Sequence, residues 1–287
     1  MIAVGLALLS ALSFATSTVV QHRAVTSAAA APGRWRALRL VLGLLTDRAW
    51  LAGQLAAVAG VSLHALALRS GPVVLVQPVL SAGLVFSLAL GALVDRHHPD
   101  RRLPVRAEWL AAGVVVVGLT AFLLTARPAA GTTTGRPAVL AAAAVGELLL
   151  AAAAFGWSRW PGSPHRALVL GVAAGAGFGV TGLLLKDVVA HPLRSWEDSW
   201  SLLALVVVGA LAFPAAQLAY RAGALIESLP TMTVLEPVVA VALASAAFGE
   251  TLAAGWARAG QVCGLVLLTA GVVSLARHQV GPAPAHV

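Results

Sequence analysis

The sequence predicts an all-α, polytopic membrane protein of about nine transmembrane helices, arranged as inverted 4+1+4 repeats. Three observations carry this. The 287 residues are 59% hydrophobic and only 10% charged, against about 25% charged in an ordinary soluble domain. Apolar runs of roughly 20 residues, the length that crosses a bilayer, recur from end to end. Short sequence patterns also recur in the same order in the two halves, the mark of an internal repeat.

The elements follow in order. Span 1 is Ile2–Gln21, closed by Gln21-His22-Arg23. Its apolar start has no basic residue before it, so it reads as a retained span rather than a cleaved secretory signal. Arg34, Arg36 and Arg39 precede the short run Leu40–Leu45. That run is too short to cross, so residues 34–46 read as an interfacial amphipathic helix, with a shortened span as the alternative. Span 2 is Trp50–Leu68 and span 3 is Pro72–Val94, followed by the polar loop Asp95–Glu108 with its His97-His98 pair. Span 4 is Trp109–Thr125, and span 5 is Ala138–Phe155 with Glu147 in its middle. Span 6 is Ala167–Val189, span 7 is Trp200–Tyr220, span 8 is Leu225–Glu250 and span 9 is Ala254–Ala276. The Pro- and Gly-rich tail 278–287 reads as disordered.

Prolines mark the expected helix breaks: Pro78 in span 3, Pro214 in span 7, and Pro230 and Pro237 in span 8. An interior proline removes a backbone hydrogen bond. In lipid that is tolerated only where protein or a polar cavity satisfies the freed groups. With Glu236 beside Pro237, span 8 is expected to be broken or kinked next to such a cavity.

The repeat is carried by Ala-Leu-Arg-Ser-Gly (Ala67–Gly71) against Ala-Tyr-Arg-Ala-Gly (Ala219–Gly223), an offset of 152 that also lays Pro78 on Pro230. Ser13–Ser17 resembles Gly177–Thr181 at an offset of 164, which places His22 on Lys186. Residues 1–127 then form a first transmembrane repeat, 128–160 a linking helix and 161–277 a second repeat. Four helices return the chain to its starting side and the linker crosses once, so the second four run inverted, as in transporters built from inverted repeats. The side that holds Arg23, Arg48, Arg101 and Arg277 carries 13 Arg/Lys residues, and the side of Arg69 and Lys186 carries six. The positive-inside rule therefore expects an outside N-terminus and a cytoplasmic C-terminus in a bacterial inner membrane. The net charge of +8 belongs to these joints and is not a nucleic-acid footprint.

Intramembrane polar residues are the candidate pathway, because they are costly in lipid and normally face a bundle interior. Glu147 reads as a proton-coupling carboxylate or cation ligand, with a simple interhelical hydrogen bond as the alternative. Glu236 either lines the cavity or satisfies groups freed by Pro237. His64 and Gln217 fall one position apart under the 152 offset and read as interhelical hydrogen-bonding groups, with a central site as the alternative, and Gln54 and Gln77 are weaker candidates on the same terms. Asp95, Asp187, Glu227 and Glu250 lie near helix ends and read as interfacial. Cys263, the single cysteine, reads as a buried structural thiol. Gly171, Gly175 and Gly179 form a close-packing stripe. The Gly-x-Gly-x-x-Gly at Gly177–Gly182 lies mid-span and not at a strand–helix turn, which excludes a dinucleotide reading. No metal-ligand spacing, cofactor motif or hydrolase motif is present, so no cofactor, no metal site and no enzymatic activity are expected. The expected partners are a small solute or ion and the lipid bilayer, and a homodimer is compatible with the sequence.

The Leu235-Glu236-Pro237 to Gly249-Glu250 pattern resembles the proline-to-acid helix of EamA-type repeats in the drug/metabolite transporter superfamily. Within it, the nine-helix arrangement and the stretch Trp50–Pro78, with Leu75-Val76-Gln77-Pro78, are most similar to the NIPA-like branch. The resemblance implies a permease that moves a small metabolite or drug-like solute by alternating access, with proton-coupled export. Magnesium or divalent-cation transport is the alternative that the branch implies, although Ala59-Gly60-Val61-Ser62 stands where the branch carries a Gly-Glu pair. A non-transporting scaffold or sensor is the third reading. Reporter fusions at both termini test the topology: the N-terminal reporter should be accessible only from outside and the C-terminal one only from the cytoplasm. A cytoplasmic N-terminus would mean that residues 34–46 cross the membrane.

Overall fold

The computed structural model describes residues 1–27, 46–95, 104–129, 131–160, 165–191, 200–222, 225–251 and 253–279. Residues 34–45, the His97-His98 loop and residues 280–287 lie outside them, as do the side chains of Asp95 and Glu227. The helices are α1 (Ile2–Ser27), α2 (Arg48–Ser70), α3 (Val73–Leu80), α4 (Ala82–Asp95), α5 (Arg106–Ala126), α6 (Pro137–Arg159), α7 (Arg166–Ala190), α8 (Trp200–Ala222), α9 (Leu225–Phe248) and α10 (Trp256–Gln279). Among the described residues, nine helical stretches are long and apolar enough to cross a membrane. One of the nine, Val73–Val94, is made by α3 and α4 together. The protein is an all-helical, multi-pass membrane protein.

Local chemistry sets the helix limits. Asp47 starts α2 by accepting a hydrogen bond from the Trp50 amide at 2.7 Å, an N-cap. Pro137 opens α6 at its first position, where a missing N–H costs nothing. The division between α3 and α4 falls at Ser81, three residues after Pro78. The turn keeps its own hydrogen bonds, from the Ser81 amide to the Pro78 carbonyl and from the Leu84 amide to the Ser81 carbonyl, both 3.2 Å.

At the other prolines the helices are not unwound. α8 runs through Pro214, and α9 runs through Pro230 and Pro237, without interruption. A proline removes one hydrogen bond, whereas unwinding a span exposes several backbone groups to lipid, so continuing the helix costs less.

Small residues position the helices. α7 is the central column: 67% of its span is buried within the protein, the largest share of any span. It packs against α6, α8 and α9 and touches α2 and α3. A Cβ at Gly175 would lie 2.9 Å from the Met232 carbonyl oxygen, and one at Gly179 would lie 2.7 Å from the Glu236 carbonyl oxygen. These glycines let α7 and α9 approach backbone to backbone. α1 lies on α2, with Ser10 donating to the Gly60 carbonyl at 2.8 Å inside the contact.

α5 and α10 form the most extensive helix pair, through Gly118, Gly264 and Gly271. Cys263 sits just off that stripe and is exposed on the outer face of α10, not buried as expected. Gly264→Val would drive a side chain into the Phe122 backbone, 2.6 Å from where its Cβ would stand. Overpacking of this kind should destabilise the protein by about 1–3 kcal/mol. Gly113→Val, with nothing within 4 Å, should leave stability near wild type. Denaturant unfolding in detergent micelles checks the contrast.

Candidate functional site

The site is built on one face of α7 and one end of the bundle. Gly175, Gly179, Gly182 and Lys186 follow one another at three- and four-residue spacing, which stacks them on a single helix face. The first two meet α9. At Gly182 the carboxamide of Gln77, from α3, fills the space a side chain would take. At Lys186 the same face carries a cation.

Lys186 and Glu250 form a buried ion pair. Glu250 follows Gly249, whose φ of +66° turns the chain after α9. That left-handed conformation is one glycine adopts without steric cost. The turn points Glu250 inward, where it is 0% exposed. Its carboxylate accepts from the Val73 and Val74 amides, both at 2.9 Å. These are orphan N–H groups at the start of α3, where a helix N-terminus favours an anion. Lys186 Nζ also stands 4.5 Å from the centre of the Phe248 ring, a cation–π contact. One ion pair therefore ties α7 to the α9–α10 joint and to the head of α3.

The joint itself is clasped from the other side. Thr132 and Arg136 donate their amides to the Phe248 and Ala247 carbonyls, both at 2.8 Å. Gly131 lies so close to the Phe248 carbonyl that a side chain there would have no room. Asp187, next to Lys186, accepts from the Gly135 amide at 3.0 Å and lies 3.6 Å from His191 Nδ1. Asp187 and Glu250, read as interfacial from their places near helix ends, are buried within the protein, where amides of neighbouring segments and, for Glu250, the Lys186 ammonium supply what water would.

Above the ion pair opens a cavity of about 450 Å³, lined by Arg69, Ser70, Thr132, Thr133 and Lys186 together with Gly71, Val189 and other small or apolar residues. It stands where the ends of α2 and α7, the start of α3 and the 131–133 segment meet, at the end of the bundle.

The expected pathway residues divide into two groups. Glu147 is buried, and among the described residues its Oε1 has no hydrogen-bond partner. It rests against Gly177 of α7, 3.0 Å from where a Cβ would stand, with Ala212 of α8 nearby. Gln77 is buried with both amide atoms unpartnered. His64 is half-buried with an unpartnered Nε2, and Gln54 and Glu236 are half-buried. Gln217 is exposed on the outside of α8, so it does not form a central site with His64. The pairing fails because α2 packs against α1, α3 and α7, and α8 packs chiefly against α7.

Gly177 lies mid-helix. It and Lys186 are nine positions apart on α7, or about 13 Å at 1.5 Å per residue. Glu147, Gln77 and the Lys186–Glu250 pair therefore touch α7 at successive depths, from the middle of the bundle to the cavity floor. Among the described residues no three His, Cys, Asp or Glu side chains come together in a way that could hold a metal ion.

Comparison with known proteins adds a family. The chain is 30% identical over 293 residues to an uncharacterized protein of Corynebacterium glutamicum, covering 99% of this chain and 97% of that one. The chain belongs to the family of that corynebacterial protein. No family model matches the chain, and no solved structure matches it.

The sequence reading missed the Lys186–Glu250 pair. A signal was present: Lys186 is the only lysine in the chain and interrupts an apolar run. Removing one partner of a buried pair leaves an uncompensated charge and typically costs about 3–5 kcal/mol. Glu250→Gln should therefore destabilise the protein by roughly that amount. The double variant Lys186→Met/Glu250→Gln should recover a large part of the loss, as read from unfolding midpoints in detergent.

Proposed function

We propose that the protein is a permease of the bacterial inner membrane that moves a small solute by alternating access, with proton-coupled export. One observation carries this reading. Among the described residues, Oε1 of Glu147 at mid-depth and both carboxamide atoms of Gln77 stand buried without hydrogen-bond partners, below a cavity that opens at the end of the bundle. A buried polar group without a partner costs about 1–3 kcal/mol. A bundle that keeps such groups in its interior gains a polar site for a proton or solute in return.

The packing pattern supports the inverted 4+1+4 arrangement and membership of the drug/metabolite transporter superfamily. The contact of α1 with α2 is matched by that of α7 with α8. The contact of α1 with α3 and α4 is matched by that of α7 with α9. The fourth and ninth spans, α5 and α10, pack on each other, as two elements beside a pseudo-two-fold axis would. In the proposed cycle the α1–α4 and α7–α9 units rock about α7, and Glu147 loads and releases a proton. With the N-terminus outside, the cavity opens away from the cytoplasm. No observation favours the magnesium reading, since the described acids are spread along the bundle instead of converging as a hard cation requires.

Proteoliposomes with an internal pH dye test this reading. Wild type should move protons in response to at least one solute class in a screen of organic acids, amines and neutral metabolites. Glu147→Gln should lower that flux at least about tenfold, the scale set by losing a positioned proton carrier. Flux that is unchanged in Glu147→Gln at every pH would remove Glu147 from the mechanism, and wild-type flux no greater than that of empty liposomes would remove the permease reading.

A further inference from the structure

We infer that the cavity at the end of α7 binds a small soluble organic anion, a carboxylate or phosphate monoester, through Arg69 and Lys186. The inference rests on the permease reading and narrows its solute class. A cavity of about 450 Å³ is within the range of small-molecule sites. Its lining presents two cations and no carboxylate. Arg69 stands exposed at the rim and makes no ion pair among the described residues.

Lys186 forms the floor, its side chain only 9% exposed. An ammonium has three donors. Among the described residues Lys186 hydrogen-bonds only to Glu250 Oε1 and also stands over the Phe248 ring, which leaves one of its three donors for the cavity that it lines. Glu250 lies beneath, fully buried, with both oxygens also committed to the α3 amides. Asp187 is committed to Gly135 and His191. The nearby acids therefore do not face the space.

The other lining groups are compatible with this. Ser70 and Thr132 donate their hydroxyl protons to backbone carbonyls, those of Leu66 and Thr134, so the cavity's charged donors are the arginine and the lysine. A guanidinium fork matches a planar carboxylate or phosphate in two-point contact, while the lysine below contributes a compact charge. An anion seated there competes with Glu250 for Lys186 and so loosens the tie between α7 and α3. A cationic solute would meet only like charge. A lipid headgroup phosphate offers the same acidic oxygens, and the test separates the two sources.

Because Lys186 is the only lysine, an uncharged acetylating ester reports on the site directly. Its rate at Lys186 is read by peptide mass spectrometry, with the N-terminal amine as internal control. Succinate and glycerol 3-phosphate, at constant ionic strength in detergent, should slow acetylation of Lys186 and not of the N-terminus. Choline should do neither. Arg69→Ala should raise the half-protecting concentration about tenfold, the scale of one lost charged hydrogen bond. Should Lys186 prove unreactive throughout, the unfolding midpoint decides. Both anions should raise it in wild type and less so in Arg69→Ala.

Acetylation and midpoints indifferent to both anions, equal protection by choline, or protection only by short-chain phosphatidylglycerol would each overturn the inference. The proteoliposome flux separates the two readings. Glu147-dependent flux without anion protection removes only the anion site, whereas anion protection without flux keeps the site and removes the permease.

Discussion

The Glu250 carboxylate is the point on which the architecture depends. It is fully buried and is compensated by Lys186 of α7 and by the Val73 and Val74 amides of α3. None of these partners is optional in a medium without water. An unpaired charge costs several kcal/mol, and orphan helix amides must find an acceptor inside the protein. The pair therefore fixes three things at once: the rotation of α7, the place where α3 begins, and the inward turn after α9. The cavity exists because these segments meet end to end there, with Arg69 and the 131–133 segment closing its sides.

Glycine gives α7 its second role. At Gly175 and Gly179 it accepts the backbone of α9, at Gly177 it makes room for Glu147, and at Gly182 it makes room for Gln77. A side chain at either of the last two positions would displace the polar group that rests there. Close packing and the interior places held by Glu147 and Gln77 thus both depend on side chains that α7 lacks. The alternation has a chemical outcome, because apolar surfaces of this kind otherwise offer no place for an unpartnered amide or carboxyl.

Much of this fold was legible in the sequence. Apolar runs of membrane-crossing length placed the nine spans found among the described residues, because a bilayer demands length and apolarity wherever a helix crosses. The glycine stripe of α7 was readable for the same reason, and Glu147 stood out as an acid in the middle of an apolar run. The helix ends were less readable, since caps such as Asp47 act through one hydrogen bond. The prolines of α8 and α9 leave their helices continuous, because a missing hydrogen bond is a local defect that does not decide whether the helix goes on. Gln217 misled because an offset between repeats aligns positions along two helices but not the faces they turn to their neighbours. The site at the bundle end was hardest to read. Lys186 and Glu250 are 64 residues apart, and acids near helix ends read as solvated until the tertiary structure shows what covers them.

One measurement addresses the central claim most directly. The single lysine allows 15N labelling of one ammonium group, and glutamate can be labelled with 13C at its carboxyl carbon. Solid-state NMR dipolar dephasing in lipid bilayers then reads the distance from Lys186 Nζ to the nearest glutamate carboxyl. A direct ion pair should give strong dephasing, corresponding to a separation of about 4 Å or less, that is lost in Glu250→Gln. Weak dephasing in the wild type, or dephasing that survives Glu250→Gln, would contradict it. In that case the joint between α7, α3 and the α9–α10 turn would need another anchor.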